Sequence, residues 1–148
     1  MAKVFLDKIP ATEHIETIVA GEPLGNGQWL SLGVLAEDGE AREATKATGE
    51  ADAEVFLVDA PLSYDDPHFD LATYKVATGR TGRAYHLGKG DVISVTEDLV
   101  SGAKKGDALT VGTNGLGFKK ADSGNGIAKV IGEEAHGFDG KVFVIAIR

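Results

Sequence analysis

The densest group of potentially reactive side chains lies in residues 65–70, which read Asp-Asp-Pro-His-Phe-Asp. Alternate positions on an extended chain would place Asp66, His68 and Asp70 on one side, and carboxylate and imidazole groups bind divalent cations. The segment matches neither the twelve-residue calcium loop nor the helical two-histidine pattern of zinc hydrolases. We therefore expect a solvated loop here, with no metal site and no cofactor.

The other residue types that support catalysis are dispersed. No histidine stands in a recognisable nucleophile pattern, and the chain has no cysteine. A triad assembled from distant positions is the alternative. The glycine-rich stretches 79–83 and 112–117 lack the Gly-Lys-Ser/Thr sequence of a phosphate-binding loop, so they predict tight turns. We expect a protein without enzymatic activity.

Charge is divided unevenly along the 148 residues. Residues 1–70 hold 15 acidic and 4 basic side chains, whereas residues 71–148 hold 8 and 11. The net charge of −8 argues against general nucleic-acid binding, and no apolar run is long enough for a membrane span. The division either directs the two halves toward different partners or reflects drift in surface charge. Arg80 and Arg83 belong to the most basic short stretch, which either binds an acidic partner or a nucleic-acid backbone or is an exposed loop with no specific partner.

The spacing of glycines and apolar runs predicts an all-β protein, a small β-barrel or sandwich. The last strand, 141–147, is apolar on both faces and should be central. Residues 36–54 favour helix by composition, but their glycines and lack of large apolar residues favour a polar hairpin. The other predicted strands cover residues 14–20, 28–35, 55–59, 73–77, 91–96, 108–112 and 127–131.

A loose internal repeat organises these strands. Residues 27–33 match 106–112, residues 41–47 match 117–123, and residues 53–56 match 128–131. We therefore divide a β domain, 13–148, into a first hairpin-based repeat (21–60), a connector or insertion (61–87) and a second repeat (88–148). Trp29 stands where the second repeat has Ala108, and large aromatic residues of this kind occupy a core or a subunit interface.

Residues 1–12 lie outside the repeat and form an N-terminal arm. Val4, Phe5, Leu6 and Ile9 make it apolar. Such a segment either docks on a neighbouring molecule or folds back onto its own barrel.

Several segments of the second repeat resemble the small β-barrel capsid decoration, or cement, proteins of tailed bacteriophages. The residues are Gly-Lys-Gly-Asp-Val-Ile-Ser-Val at 88–95, the Gly-x-x-Leu-x-Val-Gly strand at 106–112, Ala-Lys-Val-Ile-Gly-Glu-Glu at 128–134, and the apolar strand 141–148. The resemblance covers residues 88–148 and, more weakly, 21–60. It implies a structural protein that binds the outside of an icosahedral shell as a dimer or trimer and has no active site.

The resemblance also implies a location and partners. The protein would be made in the host cytoplasm and reside on the capsid exterior, bound to the major capsid protein and to its own copies, with no nucleic acid or membrane partner. The residues predicted to contact the capsid or another subunit are Val4, Phe5, Leu6, Ile9, Trp29, Arg80 and Arg83. The alternative function is a small-ligand or carbohydrate-binding β-module in which Trp29 and Tyr85 stack on the ligand.

Overall fold

The computed structural model describes residues 3–8, 15–59, 74–122, 126–137 and 140–148. The regular elements of these residues are strands and the short 3₁₀ turns Glu97–Leu99 and Thr113–Gly115. The all-β prediction is therefore confirmed. The strands are β1 (Val4–Lys8), β2 (Ile15–Ala20), β3 (Leu24–Gly25), β4 (Trp29–Leu35), β5 (Arg42–Lys46), β6 (Val55–Leu57), β7 (Lys75–Val76), β8 (Thr81–Tyr85), β9 (Val92–Thr96), β10 (Val100–Ser101), β11 (Ala108–Val111), β12 (Phe118–Lys120), β13 (Ala128–His136) and β14 (Gly140–Ile147).

The first half of the chain closes into a barrel with the strand order β2-β5-β4-β6-β8. Successive side chains of a strand point to opposite faces, so each barrel strand presents an inner and an outer row. Leu30 and Val55 belong to the barrel interior, whereas their neighbours Trp29 and Phe56 belong to a second core outside it. The run Val-Phe-Leu of β6 is buried at every position because this wall of the barrel is covered on both faces.

A seven-stranded sheet, ordered β1-β9-β14-β13-β11-β12-β10, forms the covering layer. Its inner residues, including Leu109 and Ile145, share one core with Trp29 and Phe56 of the barrel. The last strand is central, as predicted, since β14 lies between β9 and β13. Its outer positions Val144 and Ala146 are only half-buried, so the expected burial on both faces is incomplete.

The two halves share one strand order. The five barrel strands and the strands β10-β12-β11-β13-β14 follow the same sequence of neighbours, and each set contains one parallel pair, β2 with β5 and β10 with β12. In the barrel β8 pairs with β2 and closes the ring, whereas β14 pairs with β9 and leaves the second set open. The sequence repeat therefore corresponds to a repeat of topology.

Strand β8 departs from the prediction made for the connector. Residues 61–87 were expected to join the repeats or project from them. Residues 61–73 lie outside the described residues, and in the described remainder Thr81–Tyr85 pairs with both β2 and β6. Its interior positions, Gly82 and Ala84, are small and gave no apolar signal. Within the described part of the expected strand 73–77, Lys75–Val76 forms β7 and pairs with β3.

The polar segment 36–54 is strand and turn rather than helix, but it supplies only one strand, β5, which pairs antiparallel with β4 and parallel with β2 as part of the barrel wall. The described part of the N-terminal segment, residues 3–8, folds onto its own chain, which is one of the two predicted alternatives; the rest of residues 1–12 lies outside the described residues. Residues 4–8 pair antiparallel with β9, at the edge of the open sheet rather than on the barrel. Val4 is 9% exposed there.

Candidate interaction surface

Trp29 joins the two halves. Its ring centroid lies 4.9 Å from that of Phe56 and 5.8 Å from that of Phe118 on β12. The indole Nε1 donates a hydrogen bond of 3.1 Å to the carbonyl oxygen of Gly117. Of the two roles predicted for Trp29, the structure thus shows the core role. Tyr85 is also buried, so neither residue offers a ring face on which a sugar could stack.

The predicted contact residues are not brought together in one place. Val4 and Trp29 are buried, and Phe5 is half-buried in β1. The backbone of Leu6 pairs with Ile93, while the Leu6 side chain and all of Ile9 lie outside the described residues. The predicted contact residues that stand exposed are Arg80 and Arg83.

Arg80 lines a cleft of about 500 Å³ on the barrel, which we call the barrel cleft. Hydrogen bonds fix its wall: Asn26 and Asp59 each donate to the other, over 2.9 Å and 2.8 Å, and the Tyr74 hydroxyl donates to the Asp59 carboxylate over 2.7 Å. Burial, followed by the neighbouring Asp59 carboxylate, raises the pKa of Tyr74. The lining residues are Asp59, Tyr74, Lys75, Ala77, Arg80 and Thr81.

The cations around the barrel cleft differ from the others of the barrel. Lys46 forms an ion pair of 2.9 Å with Glu22, and Arg42 lies 3.8 Å from Glu16. In the described ranges neither Arg80 nor Arg83 takes part in an ion pair. These two guanidinium groups are therefore available to an acidic partner, which is the chemistry predicted for this basic stretch.

The histidines and acidic clusters that the sequence singled out lie apart or outside the described part of the chain. No three histidine or acidic side chains converge there in a way that could hold a metal ion. His86 lies 3.1 Å from Glu16, whereas His14, His68 and the cluster 65–70 fall outside the described residues, as does the side chain of His136. No helix among the described residues is long and apolar enough to cross a membrane.

Residues 112–117 form a turn at the junction of the halves, as predicted for this glycine-rich stretch. Gly117 donates its backbone N–H to Gly27 over 2.8 Å, and the side-chain amide of Gln28 donates to Asn114 over 3.0 Å. Gly117 has a φ of 60°, and a Cβ there would overlap the carbonyl oxygen of Leu99. The stretch is thus a packing element of the junction.

Two exposed apolar sites were missed by the sequence analysis. Val34 and Leu35 are 70% and 57% exposed near the end of β4, and Ile131 is 46% exposed on β13. Both sites coincide with shifts of strand register. A bulge depends on how two strands pair, so no local sequence pattern indicated these sites.

Neither a protein-family model nor a curated protein sequence matches this chain. Among solved structures, the chain is similar to the N base of the head fiber gp8.5 of bacteriophage phi29, at 16% identity and a TM-score of 0.49. The likeness covers 100% of this chain and 95% of that one. At this TM-score it carries no argument about family or function.

Proposed function

We propose that this chain is a structural virion protein that binds the outer surface of a phage capsid and stabilises the shell by binding rather than by catalysis. The observation that carries the proposal is the repeated strand order of the two halves. What recurs is a scaffold of strands and turns, while the exposed charged residues differ between the copies. A scaffold used twice with different surfaces suits a protein that bridges unlike neighbours.

The segments that resemble capsid decoration proteins coincide with structural elements of the second half. Residues 106–112 contain β11, residues 128–134 lie in β13, and residues 141–148 contain most of β14. The resemblance therefore lies in the framework of the open sheet. The shared framework supports a role as a decoration protein. The contacts that attach the chain to a shell must be made by its exposed side chains.

We assign the main capsid contact to Arg80, which lines the barrel cleft, and to Arg83, which is exposed on β8. Residues 4–8 are engaged with β9, so a free arm is not our proposed contact. An exposed ion pair contributes about 0.2–1 kcal/mol, which is weak for a single molecule. Many copies bound to one shell, and copies bound to one another, raise the overall affinity through avidity.

The test is co-sedimentation with empty, expanded shells of the phage that encodes the chain. We expect saturable binding, and a loss of affinity of about tenfold for the double variant Arg80→Glu/Arg83→Glu, since two attractions become repulsions. The matched control is Lys119→Glu/Lys120→Glu, which changes the net charge equally at exposed positions of β12. No binding by the unmodified chain would refute the proposed function; equal losses in both variants would refute the assigned contact.

A further inference from the structure

The shared strand order makes positions in the two halves comparable. One outer face of the barrel carries a row of mutually paired residues on β4, β6 and β8, namely Trp29, Phe56 and Tyr85. The same places on β11, β13 and β14 hold another mutually paired row, namely Ala108, Lys129 and Ala146. The first row is buried under the seven-stranded sheet. The second row is its topological equivalent and has no covering layer within the described chain.

This uncovered row lines a groove of about 340 Å³, which we call the outer groove. Small side chains form its floor, and two exposed cations, Lys129 and Arg148, line it. Ile131 adds an apolar surface because β13 is bulged: Val130 pairs with Ile145 and Gly132 with Val144, which leaves Ile131 without a partner across the strand pair. The outer groove thus combines apolar and cationic surface.

A second bulge builds a surface of the opposite charge. Leu32 pairs with Ala44 and Leu35 with Arg42, so β4 carries one residue more than β5 over this stretch. As a result two successive apolar side chains, Val34 and Leu35, both stand in solvent. We call the surface formed by residues 34–43 the acidic tip.

The acidic tip carries four exposed carboxylates, those of Glu37, Asp38, Glu40 and Glu43. Its one cation, Arg42, is turned back to the barrel, where it donates hydrogen bonds of 3.0 Å and 3.2 Å to the Gly33 carbonyl oxygen. The acidic tip therefore presents apolar side chains among uncompensated negative charges.

We infer that the acidic tip of one copy docks in the outer groove of a second copy, so that the chain associates head to tail. Val34 and Leu35 would cover Ile131 and the small residues of the floor, while the carboxylates would face Lys129 and Arg148. The two surfaces are complementary in both polarity and charge, which favours this occupant over an uncharged or basic partner. The contact is heterologous, since each copy contributes a different surface.

The inference deepens the proposed function by specifying how copies contact one another, but self-association is measured without shells. Sedimentation velocity over a range of protein concentrations should show reversible association that weakens as salt is added, because charges contribute to it. The tip variant Val34→Ser/Leu35→Ser and the groove variant Lys129→Glu/Ile131→Ser should each associate at least tenfold more weakly. Leu116→Ser, at a residue 47% exposed outside both surfaces, is the matched control and should associate like the parent.

Mixing the two variants gives the sharpest result. The tip variant keeps an intact outer groove and the groove variant keeps an intact acidic tip, so an equimolar mixture should form dimers of one copy of each, although each variant alone associates at least tenfold more weakly than the parent. A strictly monomeric parent chain, unchanged association in either variant, or a mixture without mixed dimers would overturn the inference. Circular dichroism confirms that each variant is folded. Shell binding with no self-association would refute this inference and leave the proposed function intact. Self-association with no shell binding would refute the proposed function and leave this inference intact.

Discussion

Replacing Phe118 with alanine should destabilise the whole chain, because this side chain fills the junction between barrel and sheet. Phe118 is 1% exposed, and its ring centroid lies 5.8 Å from Trp29 and 5.6 Å from Phe56. Removing a buried phenyl ring costs about 3–5 kcal/mol, including the cavity that remains. The ring of Phe118 also makes an edge-on contact with Trp29, at an interplanar angle of 85°, and this favourable contact would be lost as well. We therefore expect the free energy of unfolding to fall by about 4 kcal/mol. For a chain of this size the melting temperature should fall by about 10 °C.

The assay is urea unfolding followed by two signals. Trp29 is the single tryptophan, so its fluorescence reports on the junction, whereas far-ultraviolet circular dichroism reports on the strands of both halves. Since one core contains residues of both halves, the two signals should give one coincident transition in the parent and in the variant. Leu116→Ala, next to the junction but 47% exposed, should cost less than about 0.5 kcal/mol.

Two results would refute this reasoning. Separate midpoints for fluorescence and circular dichroism would mean that barrel and sheet unfold as independent units. A loss below about 1.5 kcal/mol for Phe118→Ala would mean that the junction collapses around the missing ring, in contrast to the rigid packing assumed here.

Three further predictions concern backbone and titration. Gly117→Ala should lower the free energy of unfolding at least twice as much as Gly39→Ala, because both glycines have a positive φ but only at Gly117 would the new Cβ meet backbone atoms. Equal losses of stability in thermal unfolding would contradict this steric argument. Backbone hydrogen bonds, chiefly from Thr48, lower the pKa of the Asp52 carboxyl below its usual 3.8, so this carboxylate stabilises the fold above about pH 3.8 and the stabilisation is lost as pH falls through the lowered pKa. An unchanged acid-unfolding curve for Asp52→Ala would refute this. Burial and Asp59 raise the pKa of Tyr74, so its phenol should ionise well above pH 10, and the stability that the neutral phenol contributes should be lost as pH rises through that raised pKa. In ultraviolet titration, the ionisation step at high pH seen in the parent should be absent from Tyr74→Phe.

Local patterns predicted the strands well where side chains decide the structure. The β-branched run of β14 and the alternating residues of β4 and β11 lie where the sequence placed them. The repeat was also visible, because turn glycines and apolar positions recur. The register of the repeat was predicted less accurately. Leu30 and Leu109 are equivalent, and they pair with Lys46 and Lys120, which makes these two lysines equivalent in the structure. The sequence match of 41–47 with 117–123 instead aligns Lys46 with residue 122, two positions further on. A shift of two preserves the face of a strand, so apolar alternation alone cannot detect it.

Barrel closure and the interaction surfaces depend on pairing between distant strands. Thr81–Tyr85 has small interior residues that fit beneath Val76, and only the closed ring explains their size. Trp29 shows the same limit. A tryptophan at this position indicated either a core or a subunit interface. Trp29 belongs to the core because strands that follow about 80 residues later in the chain cover it. The exposed apolar residues of the acidic tip and of the outer groove arise from bulges, which have no local sequence signature.

The hydrogen bond between Tyr74 and Asp59 has a practical consequence for engineering. Asp59 and Tyr74 flank residues 60–73, which lie outside the described residues, and this bond, together with the hydrogen bonds between Asn26 and Asp59, holds the two flanking positions together. Each doubling of the length of a flexible connection between fixed ends costs only about 0.6 kcal/mol. A foreign peptide grafted between these two residues would therefore be inserted between two positions that these hydrogen bonds already hold together.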